Sequence, residues 1–158
     1  MSYTFQPIDE VAAWIIVHWH YEPPYDYYNT PAEEIEAAVR NMLDPANAYH
    51  IISDEHGYLV GSCCFGEDAQ VSGGDYQLDA LDIGLGMRPD LTGQGRGAAF
   101  FAAICEFAQR QFHPRHLRLT VASFNKRARH TYERAGFLQI QRFRSRYDGR
   151  IFFVMIKS

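Results

Sequence analysis

MRPDLTGQGRGAAFFAAICEFAQR, residues 87–110, is the stretch from which the rest of the chain is read. Gly93, Gly95 and Gly97 alternate and run straight into an apolar segment with helical spacing. Glycine loses more conformational freedom on folding than any other residue, so three of them at a helix start imply that bare main chain is needed there. The first amides of a helix have no internal partners and carry the positive end of its dipole. With no Cβ atoms around them they admit an anion, phosphate above all. A tight turn is the plain alternative. No lysine follows to make a GxxxxGK[ST] loop, and neither Gly93-x-Gly95-x-Gly97 nor Gly84-x-Gly86 satisfies GxGxxG.

Working outward, the chain alternates strand and helix patterns without linker or repeat. Residues 3–8 read as a short strand. Residues 9–20 read as a helix with Asp9 as N-cap, stopped by Pro23 and Pro24. Residues 21–30, YEPPYDYYNT, form a loop. A second helix is expected from Thr30 as N-cap, with Pro31 in its first position and Glu33 completing a capping box. AYHIIS (48–53) and GYLVGSCCF (57–65) read as a hairpin, followed by a polar loop at 66–75. Residues 76–88 predict one long strand ended by Pro89, and a helix runs from about 96 to Phe112. HLRLTVAS (116–123) is a strand and NKRARHTYERA (125–135) a helix closed by Gly136. Residues 137–147 and 150–157 are strands joined by Asp148-Gly149. The order β-α-α-β-β-β-α-β-α-β-β implies an α/β or α+β fold with a mixed sheet.

A length of 158 residues fits one domain with one sizeable core, spanning 1–158. Hydrophobic residues make up 47% and charged residues 22%, ordinary for a globular chain and unlike a disordered one. The longest early apolar run, VAAWIIVHW, is too short to span a bilayer and carries no processing signal, so a cytoplasmic protein is expected. Cys63, Cys64 and Cys105 have neither disulfide nor metal spacing and read as reduced thiols near the core; no metal is expected. Charge is uneven. Residues 1–79 hold 14 acids and one base, Arg40, for −13; residues 80–158 hold 5 acids and 14 bases, for +9. Either the halves pair with each other in the fold, or each faces a partner of opposite sign. Nucleic acid fits poorly, because the basic residues are scattered over several elements.

MRPDLTGQGRGAAF resembles motif A of the GCN5-related N-acetyltransferases (GNAT), where a Q/R-x-x-G-x-G/A loop cradles the pyrophosphate of acetyl-CoA. VASFNKRARHTYERAGF resembles motif B, with Asn125, Ala128, Tyr132 and Gly136-Phe137 at the family's positions. The element order is similar across nearly the whole chain. Thr92 stands where the family usually has Arg or Gln, and Arg96 replaces an apolar residue.

The resemblance implies a mostly antiparallel central sheet flanked by helices. It also implies acetyl transfer from acetyl-CoA to an amine by direct attack. Main-chain groups of Leu85, Gly86 and Met87 would orient the pantetheine arm, and Gly93, Gln94, Gly95, Arg96, Gly97 and Ala98 would hold the phosphates. Arg96 either reaches a phosphate or faces solvent. Asn125 would bond the cofactor arm or simply cap its helix. An N–H near Met87 would stabilise the oxyanion. Tyr132 matches the family's general acid, and a phenol can protonate a leaving thiolate. Some relatives carry a glutamate five residues before the motif B asparagine; Thr120 stands there. Asp82, the one carboxylate within the strand leading to the loop, is the candidate base, or else an acid paired with one of the many arginines. Glu22, Asp26, Glu67, His18 and His20 are the substitutes.

In the family the acceptor site draws on the first two helices, their connection and the last hairpin. Here the loop offers Tyr21, Tyr25, Tyr27 and Tyr28 with Glu22 and Asp26, aromatic faces and carboxylates that suit a cationic amine, with Glu22, Tyr25, Asp26 and Tyr28 the candidate contacts. The partners expected are a small-molecule or peptide amine and, as an option, a second copy of the chain. No nucleic acid or membrane partner is expected. A catalytically weak CoA-binding sensor, or a nucleotide-binding module using the same anion nest, are the rival readings.

Overall fold

The computed structural model describes residues 2–158. Eleven regular elements appear in the expected order: β1 Thr4–Pro7, α1 Glu10–Val17, α2 Ile35–Leu43, β2 His50–Ser53, β3 Leu59–Phe65, β4 Leu81–Met87, α3 Gly97–Phe112, β5 Leu117–Ala122, α4 Lys126–Arg134, β6 Leu138–Arg144 and β7 Ile151–Lys157. The strands form one mostly antiparallel sheet in the order β1-β2-β3-β4-β5-β7-β6, with helices flanking it. The described chain forms two compact units, Met1–Cys64 with Leu85–Arg96, and Phe65–Gly84 with Gly97–Ser158.

In the first unit, β1 pairs antiparallel with β2 from Thr4↔Ser53 to Pro7↔His50, and β2 pairs with β3 across a register shift at Ile52/Ser53. Asp9 caps α1, its Oδ1 accepting from the Ala12 N–H at 2.8 Å. The helix stops at Val17, earlier than its apolar pattern predicts. There the His18 ring nitrogen meets the Trp14 carbonyl oxygen at 2.7 Å, and two prolines soon follow. Buried Ala13 and Val17 of α1 pack with Val39 and Met42 of α2. The expected capping box does not form. Pro31 keeps an extended ψ of 146°, a short 3₁₀ turn occupies Ala32–Glu34, and α2 starts only at Ile35 with no side-chain cap.

In the second unit, β4 and β5 run parallel from Leu81↔Leu117 to Ile83↔Leu119. β5 pairs antiparallel with β7, and β7 with β6. Gly149, at φ +75°, turns this last hairpin. β6 is an edge strand with a bulge between Gln139 and Gln141, and it leaves Leu138 and Ile140 70% and 52% exposed. β4 starts five residues later than the sequence pattern predicts. The polar groups of 75–78 are satisfied by side chains instead of a ladder: Asp75 accepts from the Gln77 N–H, and the Leu78 carbonyl accepts from Arg118. The core is aromatic, with Phe101 tilted against Tyr132 at 4.7 Å and Phe137 at 5.4 Å between centroids. Truncating a ring buried this fully costs about 3–5 kcal/mol.

Candidate active site

The end of β4 is fixed by side chains as well as by its neighbour. The Arg88 N–H donates to the Val60 carbonyl at 2.8 Å, and the Tyr21 hydroxyl donates to the Met87 carbonyl at 2.6 Å. Both bonds hold the same peptide group, Met87–Arg88. The Arg88 guanidinium adds a bond to the Leu59 carbonyl at 2.9 Å and an ion pair with Asp90 at 2.7 Å. Gly86 lies beside this arrangement: a Cβ there would meet the Tyr21 hydroxyl at 3.8 Å, an ordinary contact.

A 3₁₀ turn at Pro89–Leu91 follows, and the Thr92 hydroxyl donates to the Pro89 carbonyl at 2.8 Å. The Gln94 amide donates to the Asp90 carbonyl at 2.7 Å, which folds that side chain back onto the loop. Gly93 and Gly95 sit at φ +72° and +77°, where a Cβ is strained, and at Gly95 a Cβ would find open space. Half-buried Arg96 ends this unit, and its charge is felt by Tyr3 and Asp90. Gly97 and Ala98 open α3. Among the described residues, no main-chain carbonyl accepts from the amides of 93–96. Open space beside glycines in the left-handed region fits a phosphate-bearing group.

The loop carrying the candidate acceptor residues belongs to the same unit. The Tyr21 N–H donates to the Asn29 side-chain oxygen at 2.7 Å, and the Asn29 amide returns a bond to the Tyr21 carbonyl at 3.1 Å. Between these ends, Tyr25–Tyr28 form a 3₁₀ turn. Glu22 and Asp26 are exposed, Tyr25 is half-buried and Tyr28 is 42% exposed. Glu22 lies 3.9 Å from His20, an exposed contact worth little. Asn29 is an addition that the sequence did not single out, and so is the bond from Tyr21 to the strand end. Tyr21 was visible only as one tyrosine among several, because its partner is a main-chain oxygen 66 residues away.

The second unit holds Asp82, Asn125 and Tyr132. Asp82 is 3% exposed, and Arg118 beside it 2%. Asp82 accepts from Arg118 Nε at 2.7 Å and Nη2 at 2.8 Å, and from Gln70 Nε2 at 2.8 Å. Three of its roughly four acceptor positions are therefore filled. The hydrogen bonds that Arg118 donates to Asp82 hold its guanidinium above its ordinary pKa. This is the arginine-paired alternative weighed from the sequence. Thr120 Oγ1 meets the Tyr76 hydroxyl at 2.8 Å, and that hydroxyl also accepts from the Val71 N–H. Asn125 caps α4, its side-chain oxygen accepting from the Ala128 N–H at 3.1 Å. Tyr132 is 8% exposed, its ring against Phe101. Among the described residues no cluster of His, Cys, Asp and Glu is placed to hold a metal, and no helix is long and apolar enough to cross a membrane.

Three solved structures show the same fold at low identity. A chimera of spermidine N-acetyltransferase SpeG from Vibrio cholerae and hSSAT is 18% identical, with 99% of this chain and 95% of that one covered at a TM-score of 0.73. The aminoglycoside acetyltransferase AAC(6')-Ib in complex with coenzyme A is 16% identical, with the same coverage and a TM-score of 0.76. A GNAT-family acetyltransferase from Bacillus anthracis is 12% identical, also at 99% and 95% coverage, with a TM-score of 0.73. No curated protein sequence matches. The family model described as "Acetyltransferase (GNAT) family" matches residues 13–137, from the middle of α1 to the end of motif B. By that match the chain belongs to the GNAT acetyltransferase family.

Proposed function

We propose that this chain is an acetyl-CoA-dependent N-acetyltransferase, with residues 1–158 working as one catalytic domain in the cytoplasm. The observation that carries the reading is the loop before α3, with Gly93 and Gly95 in left-handed conformations and open space beside Gly95, inside the family match. The family uses acetyl-CoA, and one structural neighbour was crystallised with coenzyme A. Bound acetyl-CoA supplies a thioester carbon open to attack by an amine.

In this reading the amides of residues 93–98 hold the two bridging phosphates, with Arg96 adding charge. Main-chain groups of Leu85, Gly86 and Met87 orient the pantetheine arm, and the Met87 N–H polarises the thioester carbonyl. Asn125, already engaged as a helix cap, adds a contact to the arm. The amine nitrogen bonds to the carbonyl carbon, the C–S bond breaks, and Tyr132 gives its hydroxyl proton to the sulfur. The proton lost by the amine goes to water or to an exposed group such as Glu22 or Asp26. We assign Asp82 a structural role, because its carboxylate is enclosed by Arg118 and Gln70. Glu22, Tyr25, Asp26 and Tyr28 receive the acceptor, a primary amine of a small molecule or peptide. The acidic surplus of residues 1–79 favours a cationic one.

Free CoA released by the purified protein from acetyl-CoA with a panel of polyamines, aminoglycosides and lysine peptides tests this directly. Amine-dependent release supports the enzyme. A catalytically weak CoA-binding module is the second reading, favoured by the enclosure of Asp82 and by Thr120 where some relatives have glutamate. It predicts a raised melting temperature with acetyl-CoA and no release. A melting temperature raised by ATP or NAD instead would replace both.

A further inference from the structure

Tyr21, one of the acceptor-loop tyrosines, joins two of the segments given roles above. Its main chain closes the 21–29 loop through the paired bonds with Asn29 at 2.7 and 3.1 Å. Its hydroxyl reaches the Met87 carbonyl at 2.6 Å. Val60 holds the other side of the same peptide group through the Arg88 N–H at 2.8 Å. With both its carbonyl and its N–H bonded, the Met87–Arg88 peptide plane is held on both edges, which limits rotation about the Met87 Cα–C bond. The Met87 N–H belongs to the preceding peptide and hinges on the same Cα.

We propose that Tyr21 is a positioning residue: through the Met87 carbonyl it sets the orientation of the Met87 N–H and ties the acceptor loop to the strand end that orients the thioester. The inference rests on the acetyl-transfer reading of these segments. A donor aimed at the oxyanion acts most strongly once negative charge has developed, so slack in its mounting is felt in the transition state more than in the ground state. A phenol is a donor throughout the neutral range, and burial, which pushes Tyr21 up to about 12, extends this well into the alkaline range.

The experiment compares wild type, Tyr21→Phe and Asn29→Ala in steady-state acetyl transfer well below their melting temperatures. Acetyl-CoA affinity is measured separately by calorimetry. Tyr21→Phe keeps the ring and loses one strong hydrogen bond, so kcat should fall about tenfold while the acetyl-CoA Kd stays within about twofold. Asn29→Ala opens the loop but leaves the phenol, so the acceptor KM should rise about threefold with a smaller loss of kcat. A Tyr21→Phe protein that is less stable but has unchanged kcat overturns the inference, since that is what a merely structural tyrosine gives. Loss confined to acetyl-CoA affinity overturns it too. If Tyr21→Phe does not fold, an acceptor KM unchanged in Asn29→Ala overturns it and a raised one upholds it. Wild type that transfers to no amine sinks the parent reading and this one together, whereas an active wild type with an unaltered Tyr21→Phe sinks this one alone.

Discussion

Asp82 and Arg118 stand opposite each other in the parallel register of β4 and β5, and their side chains close a two-point ion pair at 2.7 and 2.8 Å. Both are almost wholly removed from water. A buried pair of this kind adds little net stability over an apolar pair, but losing one partner strands a charge.

Asp82→Ala should therefore destabilise the protein by about 3–5 kcal/mol, read as a lower urea midpoint with unchanged slope. Asp82→Asn should be milder, since an amide oxygen still accepts from Arg118. Neither should shift the pH–rate profile. A profile displaced to higher pH in Asp82→Asn would restore the carboxylate as base.

Gly95 occupies a backbone region that costs a residue with a Cβ about 1–2 kcal/mol. Gly95→Asp should stay folded within that margin, because the side chain enters open space. It should nonetheless lose acetyl-CoA binding, since its carboxylate would sit where phosphate is proposed. Undiminished affinity by calorimetry would move the phosphates elsewhere.

Tyr132→Phe keeps the ring against Phe101, so its melting temperature should change by only a few degrees. Turnover should drop about 10²-fold or more, with acetyl-CoA affinity held, if the hydroxyl supplies the proton. Equal rates for both proteins would remove it as the acid.

Alkaline behaviour offers a check on burial. The Tyr21 phenol titrates near 10 when unfolded and at about 12 when folded. The stability it contributes is therefore complete below about pH 10 and declines as pH rises from there toward 12. Urea midpoints between pH 9 and 11 should fall, and fall less steeply in Tyr21→Phe. The thiols follow the same logic. Burial pushes Cys105 up to about 11 and Cys63 higher still, so native protein at pH 8 should resist alkylation while denatured protein labels at three sites. Rapid native labelling would contradict the burial of these residues.

The order of elements was readable because each carries its own period, cap or breaker: Asp9 before α1, Asn125 before α4, Asp148-Gly149 between β6 and β7. The glycine loop was readable because left-handed backbone selects glycine at Gly93 and Gly95. What escaped depended on partners distant in sequence. Tyr76 turns toward Thr120, 44 residues on, and β4 is shortened accordingly. Arg118 meets Asp82 only because two strands happen to align in register, and nothing around either residue marks the match. Thr30-Pro31 carries a genuine start signal, yet Pro31 settles into extended backbone and the helix waits until Ile35.

The exposed flank of β6 has a consequence for handling the protein. An edge strand with one side unpaired and with Leu138 and Ile140 in water invites a neighbouring molecule to extend the sheet, the usual beginning of insoluble aggregate. The kink at Gln139/Gln141 spoils the straight template, and Arg142 and Arg144 add like charges that repel an incoming copy. Surface engineering that neutralised those two arginines would make the protein stickier, without touching any residue assigned to catalysis.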